Sequence, residues 1–179
     1  ETVHLDAGHV PVACGTRPAR PANIPFDGKH VFDSDEVLQL ETIPRSMIVV
    51  GGGVIGLEYA IMFATLGVRI TVVDGREKVL EFCDREIIDT LLFHGRSLGM
   101  VFRLGEDVIG MDRIKGDRVA VQLESGKRLI GDSVLYTAGR IGDTSELNLP
   151  AAGLEPDDRG RLWCDENHRT WGPHIYGVG

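Results

Sequence analysis

No stretch of this 179-residue sequence is apolar for the roughly 18–20 consecutive residues that a membrane-spanning helix needs. Residues 1–6 are polar and acidic, so they do not resemble the basic and then apolar start of a signal peptide. The sequence also lacks an initial methionine. We therefore expect no membrane partner, and we expect the sequence to be a piece of a longer protein.

Positive charge is scarce as well. The 19 Lys and Arg residues are outnumbered by 27 Asp and Glu residues, the net charge is −8, and the sequence contains no basic run. Proteins that bind nucleic acid usually present a basic patch to the phosphates. Nucleic acid is therefore not an expected partner.

Only three cysteines occur, at Cys14, Cys83 and Cys164. Their spacing matches neither a zinc-binding pair nor a C-x-x-C redox pair. An odd and scattered set is typical of unpaired residues in a reducing compartment. We therefore expect a cytoplasmic protein without a metal site.

The most informative stretch is a glycine-rich turn. Met47–Val50 is an apolar run that predicts a buried strand, and Gly51, Gly53 and Gly56 follow it with the spacing G-x-G-x-x-G. Apolar residues then recur at helical spacing. Such a turn can bind a dinucleotide, because its glycines permit a tight turn, leave room for the pyrophosphate and let the helix lie close to the strand. The helix N-terminus directs its unpaired N–H groups at the phosphates.

An acid stands where a dinucleotide-binding fold requires one. Arg69–Asp74 predicts a second strand, and Asp74 follows Gly51 by 23 residues. In a dinucleotide fold, the carboxylate at this point accepts hydrogen bonds from the adenine ribose. A glycine-rich turn in another α/β protein would leave Asp74 merely solvated, but the complete β-α-β unit favours the nucleotide interpretation.

The next segments extend this unit into an α/β fold. A second helix is predicted from Asp84, as N-cap, to Leu98, and a short strand at Met100–Arg103. Three antiparallel strands follow within residues 106–130, and a buried strand at 132–137 returns to the sheet. We predict a Rossmann-like doubly wound parallel sheet with an antiparallel three-stranded meander as a crossover.

The flanking segments predict short elements. Strands are expected at Val10–Cys14, Leu162–Cys164 and His174–Val178, the last of them stopping at Gly179. Residues 16–25 are rich in proline and predict an extended linker. A short helix capped by Asp33 or Ser34 is expected to follow this linker.

Several motifs along the chain add to the glycine turn, namely Ala13–Pro18, Gly51–Glu58, Thr137–Arg140, Gly153–Arg161 and His174–Gly179. Together they resemble the flavin-dependent pyridine nucleotide–disulfide oxidoreductases. The resemblance implies three segments. They are a flavin-domain segment with a linker at residues 1–43, an NAD(P)-binding domain at 44–143, and a truncated return segment of the flavin domain at 144–179.

The resemblance is strongest to members that transfer a hydride between NADPH and NAD+ through FAD, and it implies that activity for the full-length enzyme. It implies NAD(H) and NADP(H) as ligands of this piece, FAD only in the full-length protein, and homo-oligomers formed through a domain absent here. We expect the isolated piece to be inactive. The alternatives are a disulfide or metal-ion reductase such as lipoamide dehydrogenase, and a free-standing nucleotide-binding module without catalysis.

The resemblance also implies a set of cofactor-binding residues, without a catalytic side chain or a metal ligand. They are Gly51, Gly52, Gly53, Val54, Ile55, Gly56, Glu58, Asp74, Gly75, Arg76, Val108 and Gly139 for the nucleotide, with Cys14 and Gly15 beside the flavin. Cys14 stands where the family has threonine. Because the implied flavin contact is largely through the backbone, this change need not abolish it.

Four of these positions have a second interpretation. Val54 matches a position where some relatives have an aromatic gate over the nicotinamide pocket, but a valine there also packs a helix. Glu58 is implied to face the nicotinamide and the flavin, although an acid early in a helix also suits the helix dipole. Val108 and Gly139 match positions near the adenine and the nicotinamide. Core packing and a turn with positive φ are their alternatives.

Asp74 and Arg76 favour different nucleotides. An acid at the strand end suits the free 2′-hydroxyl of NAD and repels a 2′-phosphate, whereas the arginine could pair with that phosphate or remain solvated. This mixed loop is consistent with the use of both nucleotides, and the sequence does not set a preference.

Overall fold

A computed structural model describes residues 3–178 of the chain. The strands are β1 (Val10–Val12), β2 (Thr16–Pro18), β3 (Val31–Asp33), β4 (Ser46–Val50), β5 (Arg69–Asp74), β6 (Val101–Leu104), β7 (Val108–Ile114), β8 (Arg118–Leu123), β9 (Arg128–Gly131), β10 (Ser133–Tyr136), β11 (Arg140–Gly142) and β12 (Ile175–Gly177). The α-helices are α1 (Val54–Thr65) and α2 (Arg85–Ser97), and 3-10 turns span Glu36–Gln39 and Leu149–Ala152.

A five-stranded parallel sheet organises the middle of the chain. Its strand order is β3-β10-β4-β5-β6, and every neighbouring pair is parallel. The chain moves outward from β4 through β5 to β6 and then returns to the other side of β4 with β10. The order therefore reverses between β4 and β10, and in such sheets ligands bind at the carboxyl ends of the strands beside that point.

The two faces of this sheet are covered by different elements. Met47 and Val49 of β4 point to the face where α1 and α2 pack, and they join a core that includes Leu57 and Leu92. Ile48 and Val50 alternate to the other face, as period-two strand geometry requires. The antiparallel meander β7-β8-β9 covers that second face and contributes Val119 and Val121, among others, to its core. This architecture confirms the predicted fold class.

Capping residues mark the start of α2, as predicted, and the end of α1. Asp84 is the N-cap of α2, and its carboxylate accepts a hydrogen bond from the Glu86 N–H at 2.9 Å. Gly67, at φ +87°, follows α1 and returns its N–H to the Ala64 carbonyl at 2.9 Å. No helix within residues 3–178 combines the length and the apolar character required to cross a membrane.

The chain divides into two compact units, of which Pro18–Gly139 contains the five-stranded sheet and the meander. The other unit comprises the residues up to Arg17 and those from Arg140 onward. In that unit β1 pairs in parallel with β12, and Leu149, Leu154 and Ile175 form a small core. The boundaries predicted after residues 43 and 143 remain a prediction.

One predicted strand is absent and three were missed. Leu162–Cys164 is irregular rather than extended in a ladder. The reason is that the Asp157 and Asp165 carboxylates accept backbone N–H bonds on either side of it, closing turns that leave no length for pairing. The strands β2, β3 and β11 were not predicted, because three residues are too few to show a period, and β2 lies in the segment predicted as a linker. Gly179, the predicted end of the last strand, lies outside the described residues.

Candidate nucleotide-binding site

The turn between β4 and α1 leaves no room for a side chain at its first glycine. Gly51 has φ +108°, and its N–H donates to the Val73 carbonyl at 2.8 Å. A Cβ atom at this position would lie 2.8 Å from the backbone of Thr137 and Ala138, in the segment that follows β10. Only glycine suits both the positive φ and this close approach.

The third glycine of the pattern brings α1 against the strand ends. A Cβ at Gly56 would overlap the Gly51 carbonyl oxygen and lie 2.6 Å from the Thr137 hydroxyl oxygen. That hydroxyl lies 3.0 Å from the carbonyl oxygens of Val50 and of Gly51, and donates to one of them. Thr137 therefore ties the end of β10 to the glycine turn. The sequence marked Thr137 as part of a motif but assigned it no role.

The middle glycine faces open space. Gly53 is the N-cap of α1, with an extended backbone at φ −77° and ψ −177°. A Cβ added there meets no protein atom within 4 Å. The first helical hydrogen bond runs from the Leu57 N–H to the Gly53 carbonyl at 3.0 Å, so the N–H groups of the three preceding residues have no helical partner. This combination of free donors and empty space suits an anion.

Gly52 connects the turn to the predicted ribose acid. Its N–H donates to Oδ2 of Asp74 at 2.6 Å, and a Cβ there would come within 2.6 Å of the Val79 side chain. Asp74 ends β5 and is 7% exposed. The two sequence features that predicted a nucleotide site, the glycine turn and the acid, are thus hydrogen-bonded to each other.

Arg76 also binds this acid. Oδ1 of Asp74 accepts the Arg76 N–H at 2.8 Å and its Nε at 2.9 Å, and Oδ2 accepts Nη2 at 2.7 Å. Burial raises the pKa of the Asp74 carboxyl, but the hydrogen bonds from Arg76 and Gly52 outweigh burial and lower it below its ordinary value. The same contact raises the pKa of the Arg76 guanidinium. Both groups are therefore charged at neutral pH.

A side chain that no local sequence pattern indicates lies close to Gly75, between these two residues. A Cβ at Gly75 would overlap the Asp107 carboxylate, which lies in the link between β6 and β7. Asp107 is exposed and 32 residues distant in the sequence, so no local pattern could have pointed to it.

The remaining predicted nucleotide residues surround the turn or lie on neighbouring segments. Val54 is 46% exposed at the start of α1, Ile55 is half-buried, and Glu58 is exposed one turn further along. Val108 begins β7 and packs partly against the second core. Gly139 has φ +113°, and its carbonyl accepts the Ala19 N–H at 3.1 Å.

The two predicted flavin residues belong to the other unit. Cys14 is exposed there, and the adjoining Gly15 has φ +73°. The Gly15 carbonyl accepts the Asp143 N–H at 3.1 Å, so the local backbone is already fixed. Within the described part of the chain, no group of three or more His, Cys, Asp and Glu side chains could hold a metal ion.

The glycine turn and the acid after β5 lie together as the sequence predicts, and a comparison of the whole sequence with family models identifies the family. The model described as pyridine nucleotide-disulphide oxidoreductase matches residues 1–179. The chain belongs to this family. The predicted resemblance to the pyridine nucleotide-disulphide oxidoreductases is thereby confirmed.

Curated members of the pyridine nucleotide-disulphide oxidoreductase family include close relatives. The chain is 46% identical over all 179 residues to a soluble pyridine nucleotide transhydrogenase of Mycobacterium bovis, and covers 38% of that protein. It is 48% identical over 170 residues, or 94% of its length, to the soluble pyridine nucleotide transhydrogenase of Chromohalobacter salexigens, and covers 36% of it. The chain therefore spans somewhat over a third of the length of these relatives.

Solved structures of this family share the fold. LpdA of Mycobacterium tuberculosis superposes with a TM-score of 0.87 at 27% identity, over 96% of this chain and 37% of that one. The HOCl-induced flavoprotein disulfide reductase RclA of Escherichia coli gives 0.84 at 28% identity, over 96% of this chain and 39% of that one. The Rossmann-like prediction is confirmed by these neighbours.

Proposed function

We propose that this chain binds NAD(H) and NADP(H) at the β4–α1 turn, as the nucleotide-binding part of a flavoprotein transhydrogenase. In the full-length enzyme, FAD would accept a hydride from NADPH and deliver it to NAD+, so that NADP+ and NADH are formed. The support at this level is the 44–48% identity to proteins named soluble pyridine nucleotide transhydrogenases.

One observation supports the nucleotide site above all others. The open space at Gly53 lies in front of unpaired N–H groups of α1, while the adjoining Gly52 N–H is bonded to the buried acid that ends the next strand. A pyrophosphate at Gly53 would receive hydrogen bonds from the helix N-terminus, and the ribose would extend toward Asp74. Val54 and Glu58 then lie on the side where the nicotinamide would be.

Direct titration tests this site. We expect the chain to bind NADH and NADPH with dissociation constants no weaker than millimolar, measured by the enhancement of nicotinamide fluorescence and by calorimetry. Excess ADP-ribose, which contains the same pyrophosphate and ribose groups, should compete for the turn and abolish the binding of both nucleotides. If neither reduced nucleotide binds at millimolar concentration, the site assignment is wrong.

The reaction requires a protein of the relatives' full length. We expect such a protein to contain bound FAD and to reduce a spectrally distinct NAD+ analogue with NADPH. RclA is named a disulfide reductase and shares 28% identity, so lipoamide and glutathione disulfide are the competing substrates. Turnover of a disulfide without nucleotide exchange would favour a reductase, and absence of flavin would favour a nucleotide-binding module.

We also propose that this full-length protein is cytoplasmic and forms homo-oligomers. The relatives' names include the word soluble, and Cys14, Cys83 and Cys164 are free thiols, as expected of a reducing compartment. The relatives' additional length leaves room for a dimerisation domain. Cell fractionation and analytical ultracentrifugation of the full-length protein test these two points.

A further inference from the structure

Asp74 has no acceptor position left for a ribose. A carboxylate offers about four lone-pair sites, and the structure fills each of them. Oδ1 takes the N–H and Nε of Arg76, while Oδ2 takes the Gly52 N–H and Nη2 of Arg76. The acid that should hold the adenine ribose is therefore satisfied by the protein itself.

Two of these four bonds can be released. The backbone bonds from Gly52 and Arg76 belong to the turn and to the loop after β5, so they are fixed by the fold. The other two come from the Arg76 guanidinium, whose side chain is 52% exposed, whereas the Asp74 side chain is 6% exposed. An exposed arginine can rotate into solvent, whereas the buried carboxylate has to stay.

We propose that the Arg76 guanidinium, bonded to Asp74, closes the ribose subsite, and we call this ion pair the latch. The two nucleotides release the guanidinium from Asp74 in different ways, and this role rests on the proposed function above. To bind NAD(H), the 2′- and 3′-hydroxyls must displace the guanidinium from Asp74, and Arg76 loses its partner. To bind NADP(H), the 2′-phosphate takes the guanidinium as its own counter-ion. Arg76 thus opposes one nucleotide and supports the other.

The surrounding charges make this dependence strong for NADP(H). Glu81 lies close enough to Arg76 to raise the pKa of its guanidinium, after the larger effect of Asp74. The Asp107 carboxylate lies against Gly75. A 2′-phosphate that approached these carboxylates without Arg76 would be repelled, because like charges at short range are unfavourable.

Replacement of Arg76 by glutamine separates the two effects. We expect R76Q to lower the dissociation constant of NADH by about 3- to 10-fold, because the carboxylate becomes available, and to raise that of NADPH by at least about 10-fold. AMP and adenosine 2′,5′-bisphosphate, which differ only in the 2′-phosphate, should show the same opposite shifts. These two probes confine the effect to the ribose.

Two further variants control for charge and for shape. Arg69 begins β5, about 16 Å from Asp74 at the usual rise of a strand, so R69Q removes the same charge without touching the latch. We expect R69Q to change both dissociation constants by the same small factor. R76K keeps the charge but loses the guanidinium fork, so it should tighten NADH while retaining part of the NADPH affinity.

The outcomes distinguish a failure of the latch from a failure of the proposed nucleotide site. Opposite shifts in R76Q, absent from R69Q, support the latch. If the unmodified chain binds both nucleotides but R76Q changes them in the same direction or leaves their ratio unaltered, the latch is overturned while the proposed function stands. If the unmodified chain binds neither nucleotide, the proposed function itself fails, and the latch with it.

Discussion

The substitution Gly53→Ala offers a sharp test of where the pyrophosphate lies. In the free protein the added methyl group meets no atom within 4 Å, and the φ of −77° is ordinary for alanine. Alanine is a poorer N-cap than glycine, which destabilises the fold. It also restricts the unfolded chain, which stabilises the folded state by about 0.4–1 kcal/mol. These terms have opposite signs, so we expect the stability to change by less than about 1 kcal/mol.

The effect on binding should be much larger. If the pyrophosphate occupies the space in front of Gly53, the new methyl group overlaps it. The turn cannot move aside easily, because the N–H groups of Gly51 and Gly52 are bonded to Val73 and Asp74. Overpacking of this kind typically costs about 1–3 kcal/mol, which corresponds to about a 5- to 150-fold loss of affinity. NADH and NADPH should lose affinity by the same factor, because they share the pyrophosphate.

The assay pairs nucleotide titration with urea unfolding. Gly8→Ala makes the same chemical change in open space within the other unit, and it should leave both quantities unaltered. Gly56→Ala is the opposite control, because its methyl group would overlap the Gly51 carbonyl and should destabilise the fold outright. If Gly53→Ala folds normally and binds NADH within twofold of the unmodified chain, the pyrophosphate does not lie at Gly53.

Two further substitutions test what stabilises the unit Pro18–Gly139. Thr137→Val removes the hydroxyl that donates to the Val50 or Gly51 carbonyl, so we expect the free energy of unfolding, measured in urea, to fall by about 1–2 kcal/mol. Thr137→Ser keeps the hydroxyl and should change that free energy little. Asp27 is buried enough to raise the pKa of its carboxyl, but N–H bonds from Val31, His30 and Lys29 hold that pKa well below its usual range. Its stabilising contribution is therefore complete above the ordinary pKa of an aspartate and is lost as the pH falls toward the folded value. We expect Asp27→Asn to cost about 1–2 kcal/mol at pH 7, with allowance for partial exposure, and the difference from the unmodified chain to shrink in acid. A difference that is independent of pH would show that the carboxylate charge has no part in it.

Local patterns were sufficient for most of the unit Pro18–Gly139. The strand, turn and helix at β4–α1 follow from an apolar run, three glycines and helical spacing, and Asp84 signals the start of α2 by its own capping chemistry. The meander follows from alternating residues and Gly-containing turns. These signals lie within a few residues of the element that they predict, so a single sequence contains them.

Such patterns did not predict the shortest elements, or the turns in which side chains bond the backbone N–H groups. The three residues of β3 show no period, and Asp33 at its end also has the features of a helix cap. Its carboxylate accepts the N–H groups of Asp35 and Glu36 at 2.9 and 3.0 Å, but the predicted cap was wrong: the element is a 3-10 turn at Glu36–Gln39 and its N-cap is Asp35. At Leu162–Cys164 an apolar triplet suggested a strand, but the aspartates on either side fold the backbone into turns.

The candidate site illustrates the same limit at longer range. Asp74 and Arg76 were both identified, yet their mutual pairing could not be, because it depends on the conformation of the loop after β5, which places the N–H and the guanidinium of Arg76 against the carboxylate. Thr137 contacts the glycine turn although the two are 86 residues apart in the sequence, and Asp107, after β6, lies beside Gly75, after the neighbouring strand β5. The glycine pattern predicts that the backbone has room for phosphate, but the tertiary neighbours fix the shape of that room. A G-x-G-x-x-G turn without the Thr137 hydroxyl that ties it to β10 would have the same sequence signature and a looser site.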